Sequence, residues 1–356
     1  MDWDTRILKH FLISAILNIY LAHGQIYQNL GLLNVDRSPV TISGFSSGGN
    51  MAQQMQVAFS SCFKGSAAFA AVPYHCGING YRSYRFKCNL GFRTVNNFVK
   101  EARQFELEGK IDPLSNLKHQ YHYHYIPKQD TLVLGHERIR ANTGEFFRRV
   151  GMNPVNIHLF YKNSDHWMPT KNKGLPFCDD PIRFKVDVAL LGRNTTGASF
   201  CNYDGAYEAL SFLFQSQLIV PRRNGISRLQ PLVAFSQTQF LNSADAKFLD
   251  PIGYLYIPTN CTNGRKRCKF HVALHGCRGS RSAMGDGFVT QSGYLEVAET
   301  NDIVILFPQS IPFDGNPDGC WDAFEATGPE FATKLGKQMR ALMAMIQTVT
   351  GIQGCR

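Results

Sequence analysis

The sequence predicts an α/β fold, a mostly parallel sheet flanked by helices, and three observations predict it. Short apolar runs rich in Val, Ile, Phe and Tyr alternate with longer runs of helical periodicity along nearly the whole chain, as parallel strands joined by crossover helices do. At 44% apolar and 18% charged residues over 356 positions, the chain can bury a large core and is neither disordered nor membrane-like in composition. Residues 40–51 read as an apolar strand, a glycine-framed serine and a helix start in immediate succession.

The elements follow in order. Residues 29–43 lead into that junction and supply its strand. Residues 49–59 read as a helix and 65–72 as a buried strand. Residues 77–120 are irregular apart from a helical piece at 95–105. Residues 121–126 alternate like a strand, 137–150 are helical, 155–161 form a strand and 204–217 a helix. The stretch 221–231, with a proline at each end, is the candidate linker. Beyond it, 252–257 and 269–275 read as strands, 294–299 as helix, 303–307 as a buried strand and 329–349 as a long final helix. No repeat or low-complexity segment interrupts the series.

The first residues read as a secretory signal. Arg6 and Lys9 precede the apolar run 11–22, and small residues at Ala22 and Gly24 place cleavage after Gly24. That leaves one domain, 25–356, and no membrane segment once the signal is removed, the run being short for a span. All ten cysteines lie beyond Gly24, as an oxidising compartment favours. None forms a C-x-x-C pair. Local pairing suggests Cys76–Cys88, Cys178–Cys201, Cys261–Cys268 and, over a longer gap, Cys277–Cys320. Cys62 and Cys355 are left as a fifth pair or as free thiols. Sequons stand at Asn194 and Asn260. The net charge of +10 admits anionic partners. The densest cluster, Arg265 to Lys269, reads as a solvated loop, with no interleaved aromatics for stacking bases, so nucleic acid is not expected.

The chemistry is carried by the junction. Gly44, Ser46 and Gly48 fit G-x-S-x-G, in which the serine sits on a sharp turn that only small neighbours permit. By that frame the nucleophile is Ser46, not Ser47. A serine needs a base, and the base an orienting carboxylate. In the α/β-hydrolase fold these follow in the order Ser, Asp or Glu, His, each at the C-terminal end of a strand. Asp130, after strand 121–126, and His166, after strand 155–161, stand where that rule wants them. Asp165 is the nearest rival carboxylate, but adjacent side chains seldom face each other. His122 and His124 share one strand face with His119 nearby, yet no carboxylate or thiol falls at ligand spacing. They and His75, His158 and His271 read as structural, and no metal or other cofactor is expected.

Acyl transfer also needs two N–H donors aimed at the oxyanion. One is expected from Ser47. The other normally comes from a loop after an apolar strand carrying His-Gly, and the stretch ending His275-Gly276-Cys277 is such a strand end. It follows the catalytic residues, whereas the usual fold places it before them. A circular permutation explains this: strands 269–275 and 303–307 and the last helix would be the usual first third, moved to the C-terminus, with the helix packed beside the strand leading to Ser46.

Several stretches, in order, resemble the secreted poly(3-hydroxybutyrate) depolymerases of the circularly permuted single-domain type: residues 43–52, 129–133, 166–170, 201–204, 253–258, 271–277, 307–309 and 316–322. The resemblance implies Ser46 as nucleophile, Asp130 as orienter and His166 as general base. It implies Ser47 and Cys277 as oxyanion donors and puts Trp321 near the bound polyester. Trp167, Asp322-Ala323-Phe324 and Pro127-Lys128 depart from the family pattern on the side that meets polymer. The function expected is a secreted, monomeric, disulfide-stabilised serine esterase cleaving polyester through an acyl-enzyme. Feruloyl, acetylxylan or short-chain esters are the alternative substrates, and an inactive binding protein on the same fold is the non-enzymatic alternative.

Overall fold

The computed structural model describes residues 28–37, 40–84, 88, 92–132, 136–179, 197–221 and 229–355. The expected signal at 1–24, the sequon at Asn194 and most of the 221–231 linker lie outside the described residues.

The sheet has eight strands: β1 (Val40–Phe45), β2 (Phe63–Phe69), β3 (Tyr121–Pro127), β4 (Ile157–Lys162), β7 (Val233–Ser236), β8 (Ile252–Tyr256), β9 (Lys269–Leu274) and β10 (Ile303–Phe307). β5 (Met168–Thr170) and β6 (Ala198–Phe200) make a separate parallel pair. The order across the large sheet is β4-β3-β2-β1-β9-β10-β8-β7. The six strands from β4 to β10 run parallel; β8 and β7 add an antiparallel edge. The first four strands therefore step outward from β1 on one side, while β9 and β10, from the far end of the chain, fill the other. That is the strand placement a circular permutation produces.

Among the described residues, six helices of eight residues or more flank the sheet: α1 (Ser47–Ala58), α2 (Val95–Leu107), α3 (His136–Arg149), α4 (Gly205–Phe214), α5 (Tyr294–Asn301) and α6 (Lys337–Thr350). Strand side chains alternate between the two faces. Ile42, Val272, Val304 and Leu306 pack with Met51 and Met55 of α1 and Leu342 and Ile346 of α6. Ala273, Ile303, Ile305 and Phe307 pack on the opposite face with Leu210 of α4 and Leu295 of α5. Both faces of the central strands are covered, so these strands read as continuous apolar runs.

Three differences from the sequence reading have local causes. β4 starts at Ile157, because Pro154 opens a 3-10 turn capped by Asn153, whose side chain accepts from the Val155 N–H. The last helix starts at Lys337, since residues 328–336 are spent in consecutive tight turns closed by Phe331→Gly328, Thr333→Glu330 and Gly336→Thr333 bonds. β5, β6 and β7 are too short to show a period. The end of α6 reaches the chain before β1, where the Leu33 N–H donates to the Val349 carbonyl at 2.9 Å.

The ten cysteines form five disulfides: Cys76–Cys88, Cys178–Cys201, Cys261–Cys268, Cys277–Cys320 and Cys62–Cys355. The last ties the start of β2 to the C-terminus and settles the pair that the sequence left open.

Under the serine turn, a polar chain crosses the apolar layer. His271 on β9 meets Thr41 through Nδ1 at 2.8 Å and Ser43 through Nε2 at 2.6 Å, and Ser43 also meets the Tyr294 hydroxyl. Burial pushes His271 and His122 down to a pKa of about 3, and His275 to about 4. Each is neutral in the fold but takes up a proton below about pH 6.5 once unfolded. Their stabilising effect is therefore complete above that value and is lost as pH falls toward 3–4. We expect the urea midpoint to drop between pH 7 and pH 5, with a slope of up to about 1.4 kcal/mol per pH unit for each histidine; a flat midpoint over that interval would contradict the assignment.

Candidate active site

The strand order reverses between β1 and β9, and in open parallel sheets the crevice at the carboxyl ends of such a pair is where ligands bind. Ser46 ends β1 and His275 ends β9. Ser46 has φ 54° and ψ −119°, a strained conformation for a residue with a Cβ, costing about 1–3 kcal/mol. The glycines show why the turn is possible. A Cβ on Gly44 would lie 2.2 Å from the Gly48 carbonyl carbon, and one on Gly48 would lie 2.3 Å from the His275 carbonyl oxygen. Strand, turn, helix and the end of β9 thus pass within backbone contact of one another.

The residues singled out by the sequence converge here. His166 Nε2 lies 2.8 Å from Ser46 Oγ, and its Nδ1 lies 2.6 Å from Asp130 Oδ2. A carboxylate can only accept, so Nδ1 carries the proton and Nε2 is left to accept from the serine hydroxyl. Asp130 is wholly buried, and its other oxygen accepts the Leu132 N–H at 2.9 Å. The Phe45 ring packs 5.1 Å from the imidazole, centre to centre.

Asp165, the rival carboxylate, does something else. Its Oδ1 accepts the backbone N–H of Thr131 at 2.7 Å and of His166 at 2.8 Å, and the Thr131 hydroxyl also donates to it. Its own N–H donates to the Cys178 carbonyl. Asp165 clamps the loop bearing Asp130 to the loop bearing His166, a role that sequence adjacency to the histidine did not reveal.

Ser47 is the first residue of α1, whose first turn carries no acidic side chain, so the positive end of the helix faces the crevice uncompensated. Gly276 abuts the turn: a Cβ there would meet the Phe45 ring at 2.8 Å and Ser46 Cβ at 3.1 Å. Cys277 follows directly, bridged to Cys320. Trp321 is placed behind the turn. It has no exposed surface, its ring lies 5.5 Å from that of His275, and its backbone N–H donates to Ser47 Oγ at 3.2 Å. The indole expected to lie near polyester is thus buried and does not face the crevice surface. Asp322 holds the same loop by accepting from the N–H groups of Phe324, Ala326 and Thr327.

The remaining histidine pair is enclosed in the core. His122 stacks on Phe147 at 4.2 Å and meets Ser66 through Nδ1. Among the described residues no group of three or more His, Cys, Asp or Glu is placed to hold a metal, and no helix is long and apolar enough to cross a membrane. A surface pocket lined by Arg37, Ser61 and Ile352 surrounds the Cys62–Cys355 bridge at the opposite, amino-terminal end of β1 and β2.

No family model matches the chain. Curated relatives do. A polyhydroxybutyrate depolymerase of Talaromyces funiculosus is 32% identical over 91% of this chain and 94% of its own length. The chain belongs to the polyhydroxybutyrate depolymerase family. A poly(3-hydroxybutyrate) depolymerase of Delftia acidovorans is 27% identical over 96% of this chain, which spans 65% of that protein. The crystal structure of the depolymerase from Penicillium funiculosum superposes with a TM-score of 0.78 at 30% identity, covering 92% of this chain and all of that one. A serine-to-alanine variant of a depolymerase, complexed with an R3HB trimer, superposes with a TM-score of 0.79 at 29% identity and the same coverage. An acetylxylan esterase A of Aspergillus oryzae matches only 69 residues, 19% of each chain, at 35% identity. Membership places this protein among the serine ester hydrolases and in the α/β-hydrolase fold.

Two outcomes follow for this depolymerase-family site. Gly44→Ala forces backbone apart at the crossing, so it should cost about 1–3 kcal/mol in denaturant midpoint and reduce ester cleavage beyond the loss of folded protein; wild-type values for both would mean the crossing is looser than the structure has it. Peptide mapping without reductant should recover Cys277 linked to Cys320, and mild reduction should lower kcat, because the bridge holds the loop after β9 to the Trp321 loop.

Proposed function

We propose that this protein is a secreted polyester hydrolase working through Ser46, His166 and Asp130 by an acyl-enzyme. The observation that carries the proposal is the unbroken hydrogen-bonded line from Ser46 Oγ through the imidazole to a buried carboxylate. It stands at the sheet's switch point in a chain of depolymerase kinship. Ser46 attacks the ester carbonyl while His166 Nε2 takes its proton, and Asp130 stabilises the resulting imidazolium. The amides of Ser47 and Cys277 receive the oxyanion, each worth roughly 3 kcal/mol in such sites. His166 then protonates the leaving alcohol and later activates the water that frees the acid. None of these steps calls for a metal or an organic cofactor.

The catalytic domain is proposed to span 25–356 after removal of residues 1–24. Five disulfides agree with passage through an oxidising compartment. Leu132 and Phe177, 42% and 56% exposed, stand beside the loops bearing Asp130 and His166 and offer apolar contact there. Trp321 would support Ser47 from behind. Acetylxylan-type esters are the second reading, favoured only by the short match to the acetylxylan esterases.

The deciding experiment is hydrolysis of amorphous poly(3-hydroxybutyrate), feruloylated and acetylated xylan, and nitrophenyl esters by the purified chain, with Ser46→Ala beside it. The polyester should be degraded by the wild type, and the variant should fold but lose at least about 10³-fold in kcat. Full activity of the variant removes Ser46 from the mechanism. Xylan esters cleaved in preference to polyester would transfer the assignment to the second reading.

A further inference from the structure

The loop that joins β8 to β9 carries chemistry that ester cleavage does not use. Asn260, Cys261 and Thr262 spell N-x-T, the acceptor pattern for an N-linked sugar. Asn260 and Thr262 are both exposed. An asparagine amide has two hydrogens to donate. One is spent on Asp302 Oδ1 at 2.9 Å, and among the described residues no partner holds the other. An amide nitrogen bearing a sugar keeps a single hydrogen, so the modified side chain can still make the Asp302 bond. Asp302 directly precedes β10, and β8 runs antiparallel to β10 with Tyr256 opposite Ile305. Asn260 therefore stands at the amino-terminal ends of the parallel strands, whereas Ser46 stands at the carboxyl ends. A sugar there leaves the crevice open.

The closed loop is a poor acceptor. A transferase has to grip the amide and the hydroxyl two residues on at the same time. Here Thr259–Cys261 wind into a 3-10 turn, the Thr262 hydroxyl donates to the Thr259 carbonyl at 2.9 Å, and Cys261 is bridged to Cys268, seven residues on. The turn inside the bridge is tight, with the Arg265 N–H donating to Asn263 Oδ1 at 3.0 Å and Gly264 at φ 65°. Closing a short loop costs less chain entropy than closing a long one. Once closed, this one takes the amide, the hydroxyl and the backbone between them out of reach together.

We propose that Asn260 is an N-glycosylation site whose occupancy is set by the Cys261–Cys268 bridge: the sugar is added only while the bridge is open. The co-reactant is an oligosaccharide carried on a polyprenyl pyrophosphate. Nδ2 attacks its anomeric carbon, a C–N bond forms as the C–O bond to pyrophosphate breaks, and the amide gives up one proton; nothing is oxidised or reduced. Bridge formation is a separate oxidation of two thiols, by exchange with a disulfide of the secretory compartment. The inference rests on the reading of this chain as secreted and not on its esterase chemistry.

The full chain secreted from eukaryotic cells should carry sugar at Asn260 on only part of its molecules. Peptide:N-glycosidase treatment in heavy-oxygen water, followed by peptide mapping, reads occupancy as label at residue 260. C268S leaves the sequon untouched and should raise occupancy toward completion, and T262A should abolish it. Where C268S is not secreted, a pulse of reductant during synthesis of the wild type reads the same competition and should raise occupancy in newly made chains. N260Q should keep its kcat on a nitrophenyl ester. A bare Asn260 in both wild type and C268S, or equal occupancy with the bridge open and closed, overturns the inference. Lost ester cleavage in a folded N260Q overturns the placement of the sugar away from the crevice. A wild-type chain that stays inside the cell with free thiols instead sinks the reading of a secreted protein.

Discussion

The rest of this structure depends on one close crossing of backbone. β1, the turn at Ser46 and the first turn of α1 fold back until Gly44 and Gly48 nearly touch, and Gly48 in turn rests on the carbonyls that end β9. No side chain fits in that space. The crossing gives Ser46 its positive φ, lifts its hydroxyl out of the sheet and brings the loop after β9 against it. The strain at Ser46 is held by the helix that follows and by the Ser46 N–H bond to the Phe69 carbonyl on β2. A cluster of catalytic groups placed on separate loops would lack this stiffness. Here Ser46 and the loop after β9 are fixed by main-chain contact between adjacent parallel strands.

The other half of the site is fixed by hydrogen bonds and covalent ties. Asp130 and His166 lie on loops after β3 and β4, well removed in sequence, and Asp165 joins those loops through two backbone N–H groups. A charged carboxylate accepting N–H donors makes stronger bonds than neutral pairs do, and buried beside the imidazole it holds the ring's own backbone. On the far side, the Cys277–Cys320 bridge and the bond from the Trp321 backbone N–H to Ser47 Oγ bring a third loop behind the turn. Main-chain contact, charged hydrogen bonds and a disulfide thus converge on one place and hold it.

Family membership and geometry answer different questions. Kinship at 32% identity over most of both chains gives the fold and the class of chemistry. Substrate choice turns on the surface around the crevice, and there this chain carries its own residues: Trp167 buried beside the Cys178–Cys201 bridge, Asp322 spent on bracing a loop, and Leu132 and Phe177 exposed at the rim.

By itself the sequence determined the strand–turn–helix at Ser46, singled out Ser46, Asp130 and His166, suggested four of the five cysteine pairs and showed the alternation that makes an α/β sheet. Those features are local, or follow from a fixed chain order, and local chemistry writes them plainly: glycine where no Cβ fits, apolar runs where both faces are covered. It did not determine the late start of α6, the short strands β5 to β7, the bridge between Cys62 and Cys355, the clamp formed by Asp165 or the burial of Trp321. Each of these depends on which distant segment lies alongside, and only the folded chain decides that. Asp165 could have turned to its neighbouring imidazole or to the backbone of Thr131, and the packing of β3 against β4 chose the backbone.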